Sequence, residues 1–346
     1  MGFHLYMKII FDMRGNPFFL AHGGVQVQVE QTKAALESIG IEVEYARWWD
    51  SKQKTDIIHC FSRAAITHIR FAHRKGIKYV MAELLTGQGS RSLPQLYFEG
   101  LRNRVLKGLG PKLFSESTGW SAYLEADGCI ALTSWEARIM TILFSAPSSK
   151  IHVVPNGVED IFILPEKERV LRSPRRDYLV CTATICERKR VLELAQAAFQ
   201  ARVPIHIIGK PYGLNDPYYL KFAAFAKKAS EYVRFDGPVS NRNHMAEIYK
   251  SARGFVLLSN MESLSLSALE STASGCPLLL SDLPWARCTF GDSATYCPVN
   301  ANINMTALAL KNFYESAPTL KIPPTPLTWR DIAYQFRDVY TRILSE

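Results

Sequence analysis

Phe255-Val256-Leu257-Leu258, then Met261-Glu262-Ser263-Leu264-Ser265-Leu266-Ser267-Ala268-Leu269-Glu270, then Gly275-Cys276-Pro277-Leu278-Leu279-Leu280 follow one another almost without a gap. An apolar run, a loop, a helical pattern, a glycine turn and a second apolar run make a strand–helix–strand unit, the signature of a buried parallel sheet. Two carboxylates stand eight positions apart across the loop and the helix. With a helical rise of roughly 1.5 Å per residue they lie roughly 10–12 Å apart, the span of a sugar joined to a nucleotide. Between them the first-turn N–H groups lack intrahelical partners and carry partial positive charge, so a diphosphate fits there. The plainer reading makes Glu262 a first-turn charge stabilising the helix dipole and Glu270 a solvated helix residue. The stretch alone does not choose between the two.

Outward from this unit the same alternation fills the chain. Strands are expected near 8–12, 42–46, 56–60, 77–82, 128–132 and 151–154, with helices near 24–39, 63–75, 93–108, 117–126 and 134–144. A second series follows, with strands near 178–184, 204–208, 232–235, 253–258, 277–281 and 294–297. Its helices are expected near 189–201, 216–230, 243–251 and 265–274. Both series read as doubly wound α/β domains with Rossmann-like topology. The expected organisation is a first domain over 1–157, a linker over 158–177 carrying Pro165, Pro174 and the run Glu166-Lys167-Glu168-Arg169, and a second domain over 178–327. Lys321-Ile322-Pro323-Pro324-Thr325-Pro326 then isolates a last amphipathic helix, 328–346, free to pack elsewhere.

A chain of 346 residues with 47% hydrophobic content supports two cores. No apolar run reaches the length of a membrane span, and Met1 to Tyr6 lacks the pattern of a signal peptide, so a cytoplasmic location is expected. Seven cysteines without ligand spacing point to reduced thiols. The net charge of +9 is concentrated between Arg63 and Lys112, where ten Lys or Arg face only Glu83 and Glu99. Beside Leu96, Tyr97, Phe98, Leu101, Val105 and Leu106, this stretch suits an anionic membrane surface, a polyanion or nucleic acid, and equally a solvated helical face.

Three further sets of residues carry chemical potential. His22-Gly23-Gly24 ends the loop after the first strand, where a glycine pair lets backbone approach a phosphate at a helix start. Glu187-Arg188-Lys189-Arg190 sits at the first strand-to-helix junction of the second series. Cations at a positive helix end are unfavourable unless an anion compensates them, and a diphosphate does so. Asn156-Gly157 reads as a turn. His59 and His22 are acid or base candidates, although a lone histidine is more often structural. No Asp-x-Asp is present to hold a divalent metal, so no metal site and a metal-independent mechanism are expected. The glycine fingerprint of nicotinamide dehydrogenases is missing too.

In order, these pieces resemble the large family-four, retaining, nucleotide-sugar-dependent glycosyltransferases of the GT-B fold, group 1, in which two Rossmann-like domains face each other across a cleft. The resemblance spans nearly the whole chain: Gly23-Gly24, Val154-Pro155-Asn156-Gly157-Val158, Glu187-Arg188-Lys189, Glu262 with Glu270, Gly275-x-Pro277 and the closing helix from Trp329 to Tyr340. It implies that Glu270 binds the ribose hydroxyls. Glu262 and the segment Ser263, Leu264, Ser265, Leu266 and Ser267 would hold the donor sugar. Lys189 and Arg188 would meet the diphosphate, which Gly23 and Gly24 would also approach. It further implies transfer of a hexose-like group with retained configuration from a UDP- or GDP-linked sugar, with no other cofactor, and a last helix that packs on the first domain. The acceptor classes left open are a glycan, a lipid-linked or polyanionic molecule, or modified nucleic-acid bases. Departures from the family pattern are Thr184 in the place usual for Arg, Ser263 and Ser267 where glycine and proline are common, and Met81-Ala82-Glu83-Leu84-Leu85 where a histidine is frequent. Glu83 is a candidate acceptor-facing residue. Thr184 and the missing histidine motivate a second reading, a catalytically silent nucleotide-sugar-binding protein.

Overall fold

Short β-branched and leucine-rich runs separated by amphipathic helices can bury both faces of a strand only by stacking in parallel under helical layers. The computed structural model describes residues 7–13, 23–109, 120–167 and 177–346. Two compact units result: one of residues up to Asn156 together with Trp329–Glu346, the other of Gly157–Thr328.

In the first unit β1 (Lys8–Asp12), β2 (Glu42–Tyr45), β3 (Ile57–Cys60), β4 (Lys78–Met81), β5 (Gly128–Ala131) and β6 (Ile151–Val153) form one parallel sheet in the order β2-β1-β3-β4-β5-β6. In the second, β7 (Leu179–Thr182), β8 (Ile205–Ile208), β9 (Val233–Phe235), β10 (Gly254–Leu257), β11 (Leu278–Ser281) and β12 (Thr295–Cys297) are parallel in the order β12-β11-β10-β7-β8-β9. β5, β8, β10 and β11 are buried along their whole lengths, as expected of strands covered on both faces.

The structure departs from the sequence expectation at the linker and at a further long helix. Residues 158–167 are not a free linker. Val158 bridges to Thr328, Leu164 N–H donates to Ala273 O (2.9 Å), and Phe162 is fully buried, all within the second unit. Residues 168–176 lie outside the described residues. A helix at Ile303–Ser316, capped by Asn302 Oδ1 accepting from Met305 N–H (2.9 Å), packs on the helix Val191–Ala201 and has no counterpart in the sequence reading. Its exposed Ile303, Met305 and Leu308 blur the helical period that Thr306, Ala307, Leu310 and Phe313 would otherwise show.

The last helix, Trp329–Ser345, buries Trp329, Ile332, Ala333, Phe336, Tyr340 and Ile343, a single stripe at helical spacing. It lies against the helix Gly24–Ser38 of the first unit. Its anchor is polar: His59 Nδ1 and Tyr340 Oη are 2.6 Å apart, and the imidazole stacks on Phe61. His59 is therefore a structural residue of the core and not an exposed acid or base. Burial pushes its pKa from 6.5 down to about 3. Below pH 6.5 the unfolded chain takes up a proton that the folded chain refuses, so stability falls with acidification between 6.5 and about 3. The expected slope is at most about 1.4 kcal/mol per pH unit, and His59→Phe flattens it. Urea unfolding at a series of pH values reads this, and an equal slope in the variant would contradict it.

Candidate functional site

In the second sheet the chain leaves β7 towards β8 on one side, and leaves the neighbouring β10 towards β11 on the other. Such a reversal of strand order marks the carboxyl ends of the two strands as the place where open parallel sheets bind ligands. Both charged motifs singled out in the sequence stand on the loops that flank it.

After β7, Glu187–Lys189 make one 3₁₀ turn, and Arg190 takes the left-handed conformation at φ 51° before the helix starts at Val191. Lys189 thus stands just before the helix's N-cap, where the ion pair with Glu262 compensates a cation at the positive end. Arg190 turns away and donates to Ala301 O (2.9 Å). Arg188 and Lys189 reach the loop after β10. Arg188 Nη1 donates to Met261 O (2.9 Å), Arg188 O accepts from Asn260 N–H (2.9 Å), and Lys189 Nζ is ion-paired with Glu262 Oε1. Arg188 Nη1 lies 3.6 Å from the same oxygen. Lys189, Glu262 and Arg188 are therefore one cluster.

Glu262 precedes the helix Leu266–Ala273 by four residues and is only 7% exposed, so it is no first-turn dipole charge. Ser265 caps that helix, its Oγ accepting from Ala268 N–H (3.3 Å) and lying 3.1 Å from Ser267 Oγ. Ser263 and Leu264 are buried, while Leu266 and Ser267 are half-buried at the helix entrance. One turn into that helix, Glu270 is also only 7% exposed, which overturns the solvated reading. It accepts from Arg242 Nη2 (2.6 Å), and the same guanidinium donates from Nε to Glu159 Oε2 (2.7 Å) and lies over the Phe162 ring. Burial raises the Glu270 pKa above the usual carboxylate value, against the pull of Arg242. Arg242 and Glu159 escaped the sequence reading. Glu159 stands two residues past the Asn156-Gly157 turn, and Arg242 follows the cap Asn241, but Arg242 reaches Glu159 across 83 positions of chain and Glu270 across 28.

Gly23 and Gly24 open the helix Gly24–Ser38 in the first unit. Gly23 has φ 147°, a conformation that suits glycine, and a side chain there would meet nothing within 4 Å. The preceding loop, with His22, lies outside the described residues. Glu83 is no free acceptor-facing acid. Arg63 grips it through Nε (2.7 Å) and Nη2 (2.9 Å), and Tyr123 Oη donates to it (2.6 Å).

The basic stretch from Arg63 to Lys112 is partly neutralised, by Glu83 and Glu99 within it and by Glu125 and Asp127 beyond it. Arg63 pairs with Glu83, Arg70 with Glu125, Lys78 with Asp127, and Arg91 and Arg102 with Glu99. Lys112 lies outside the described residues. Among the described residues no three His, Cys, Asp or Glu side chains are grouped to hold a metal ion, and no helix is long and apolar enough to cross a membrane.

Two doubly wound units, with cations and a buried carboxylate gathered at the switch point of the second, define the class of GT-B proteins. Residues 165–322 match the family described as glycosyl transferases group 1. The chain is 29% identical over 178 residues to a D-inositol 3-phosphate glycosyltransferase of Actinosynnema mirum, covering 45% of this chain and 41% of the relative. It is 29% identical over 211 residues to one of Nocardia farcinica, covering 56% of this chain and 47% of the relative. The chain thus spans less than half the length of these curated relatives. Among solved structures it is similar in fold to the sucrose-phosphate synthase of Thermosynechococcus elongatus, with TM-score 0.66, 16% identity, and 98% and 99% of the two chains covered. It is similar also to Anabaena HepE in complex with UDP and glucose, with TM-score 0.65, 14% identity, and coverage of 98% and 99%.

Proposed function

We propose that this chain is a retaining, metal-independent glycosyltransferase that takes a sugar from a nucleotide-diphosphate donor. The observation that carries the reading is the Lys189–Glu262 pair at the switch point between β7 and β10, on the loop that leads into the helix bearing Glu270. An arriving diphosphate competes with Glu262 for Lys189 and Arg188. Glu262 is then released to accept from hydroxyls of the donor sugar. Glu270, held by Arg242, is positioned to accept from a ribose. As the bond between the anomeric carbon and the phosphate oxygen breaks, the two cations stabilise the charge left on the diphosphate, work that a divalent metal does elsewhere. The acceptor oxygen bonds to the same face of that carbon, and its proton passes to the departing phosphate.

UDP is the first nucleotide to try, since fold neighbours have been solved with it. A panel of UDP- and GDP-linked sugars read by mass spectrometry identifies donor and sugar together, EDTA tests the metal independence, and NMR of the product anomer tests retention. Absence of any thermal shift with UDP, GDP or ADP would end the reading. A shift without donor consumption would favour the silent binder that Thr184 suggests.

For the acceptor, the helix Leu93–Leu109 exposes Tyr97, Phe98, Leu101, Val105 and Leu106 beside the exposed Arg102 and Arg104. Apolar and cationic residues on one helix suit the surface of an anionic bilayer, and hence a lipid-linked acceptor. Sedimentation with phosphatidylglycerol vesicles should fall steeply as salt rises. A flat response would leave a soluble acceptor.

A further inference from the structure

The chain leaving the C-terminal end of β2 is braced by its own polar side chains. Arg47 donates from its backbone N–H to Gln53 Oε1 (2.8 Å), from Nη1 to Glu44 Oε2 (2.8 Å) and from Nε to Asp50 Oδ2 (3.1 Å). Gln53 Nε2 returns to Glu44 Oε2 (2.8 Å) and Tyr45 O (3.0 Å), and Asp50 N–H closes on Arg47 O (2.8 Å). This bracing presents two indoles to water: Trp48 is 77% exposed and Trp49 68%. Elsewhere the chain hides its tryptophans where it can, with Trp285 at 2% and Trp329 at 6%. The exposed pair stands edge to face, with ring centroids 5.5 Å apart and planes at 89°, so each ring stabilises the other and the two form a corner. Tyr45, 40% exposed, stands just before them. A rigid, exposed aromatic corner at the carboxyl edge of a parallel sheet is a ligand surface held ready for its occupant.

Charge selects among occupants. In the bracing loop and the strand that leads to it the charges are already paired, Arg47 with Glu44 and Asp50, and Lys8 with Glu42 and Glu44. A polyanion or anionic bilayer gains nothing from a balanced surface. A neutral pyranose gains on both counts, because its C–H face packs on an indole and its rim of hydroxyls meets the surrounding polar groups.

We propose that the Trp48–Trp49 corner is a saccharide-binding platform of the first unit, taking a neutral pyranose ring. Naming that ring as part of the acceptor rests on the transferase reading, whereas the binding itself does not.

The test titrates the full chain with maltohexaose, cellohexaose and chitohexaose, read by tryptophan fluorescence and saturation-transfer NMR. At least one should bind, and Trp48→Ala or Trp49→Ala should weaken it by about tenfold or more. Melting temperature should fall only slightly, because the side chains removed lie mostly in solvent and lose little beyond their contact with each other. Binding by none of the three, or equal binding by the variants, overturns the proposal. So does a blue shift of tryptophan emission on phosphatidylcholine vesicles that disappears in the variants, which would make the pair a membrane anchor. Thermal shift with UDP reads the second unit separately, so failure of the platform and failure of the transferase reading are distinguishable.

Discussion

Lys189→Ala is expected to lower kcat for sugar transfer by about 10²–10³-fold, the usual cost of removing one preorganised charge-stabilising group from a reacting centre. Lys189 is held in the loop after β7, 12% exposed at its side chain, with its charge matched by Glu262 in the resting chain. A diphosphate that takes over this ammonium gains most when the sugar bond is breaking, because negative charge on the leaving oxygen is then greatest. The loss should therefore fall on kcat more than on KM. Removing the ammonium also strands Glu262, so the comparison belongs beside Lys189→Ala/Glu262→Gln, which restores a neutral pair. If the single variant keeps its rate within about tenfold of the parent, Lys189 is not the group that bears the leaving charge.

Arg242→Met is expected to destabilise the second unit by about 2–3 kcal/mol at pH 8, less than the about 3–5 kcal/mol typical of breaking a fully buried pair. The discount follows from Arg242 being 38% exposed while Glu270 is 9% exposed at its side chain. Glu270 already has a pKa above the ordinary carboxylate value through burial, and Arg242 is what opposes that rise. For an acid whose folded pKa is raised, the folded chain holds more protons than the unfolded one, so stability declines as pH climbs from the unfolded to the folded value. Without Arg242 the folded value rises further and the window widens. The loss should thus shrink as pH falls towards 5, and Arg242→Met/Glu270→Gln should recover most of it at pH 8. Urea unfolding at the two pH values checks the sign, and a loss independent of pH would contradict it.

Much of this architecture was legible in the chain because parallel strands buried on both faces must be continuous apolar runs, and crossover helices must be amphipathic. Runs such as Ile57-Ile58-His59-Cys60 and Leu278-Leu279-Leu280 therefore announce themselves. The helix at Ile303–Ser316 did not, because exposed apolar residues on its outer face erase the contrast that periodicity reads. The candidate site divides along the same line. Glu262, Glu270, Arg188 and Lys189 could be chosen from local chemistry, as a cation run at a helix start and two acids across a helix entrance. Arg242 and Glu159 could not, since an isolated arginine after a cap and an acid after a turn carry no local signal.

The amino-acid sequence by itself determined the alternation of strands and helices and the residue types at the two loops, because both follow from short-range periodicity and charge. Only the tertiary structure decided that β7 and β10 are neighbours, that Lys189 therefore meets Glu262, that Arg242 tethers Glu270, and that His59 serves the core. Those outcomes depend on which distant segments share a sheet or a helix face. Long-range packing selects that arrangement, and no single segment encodes it.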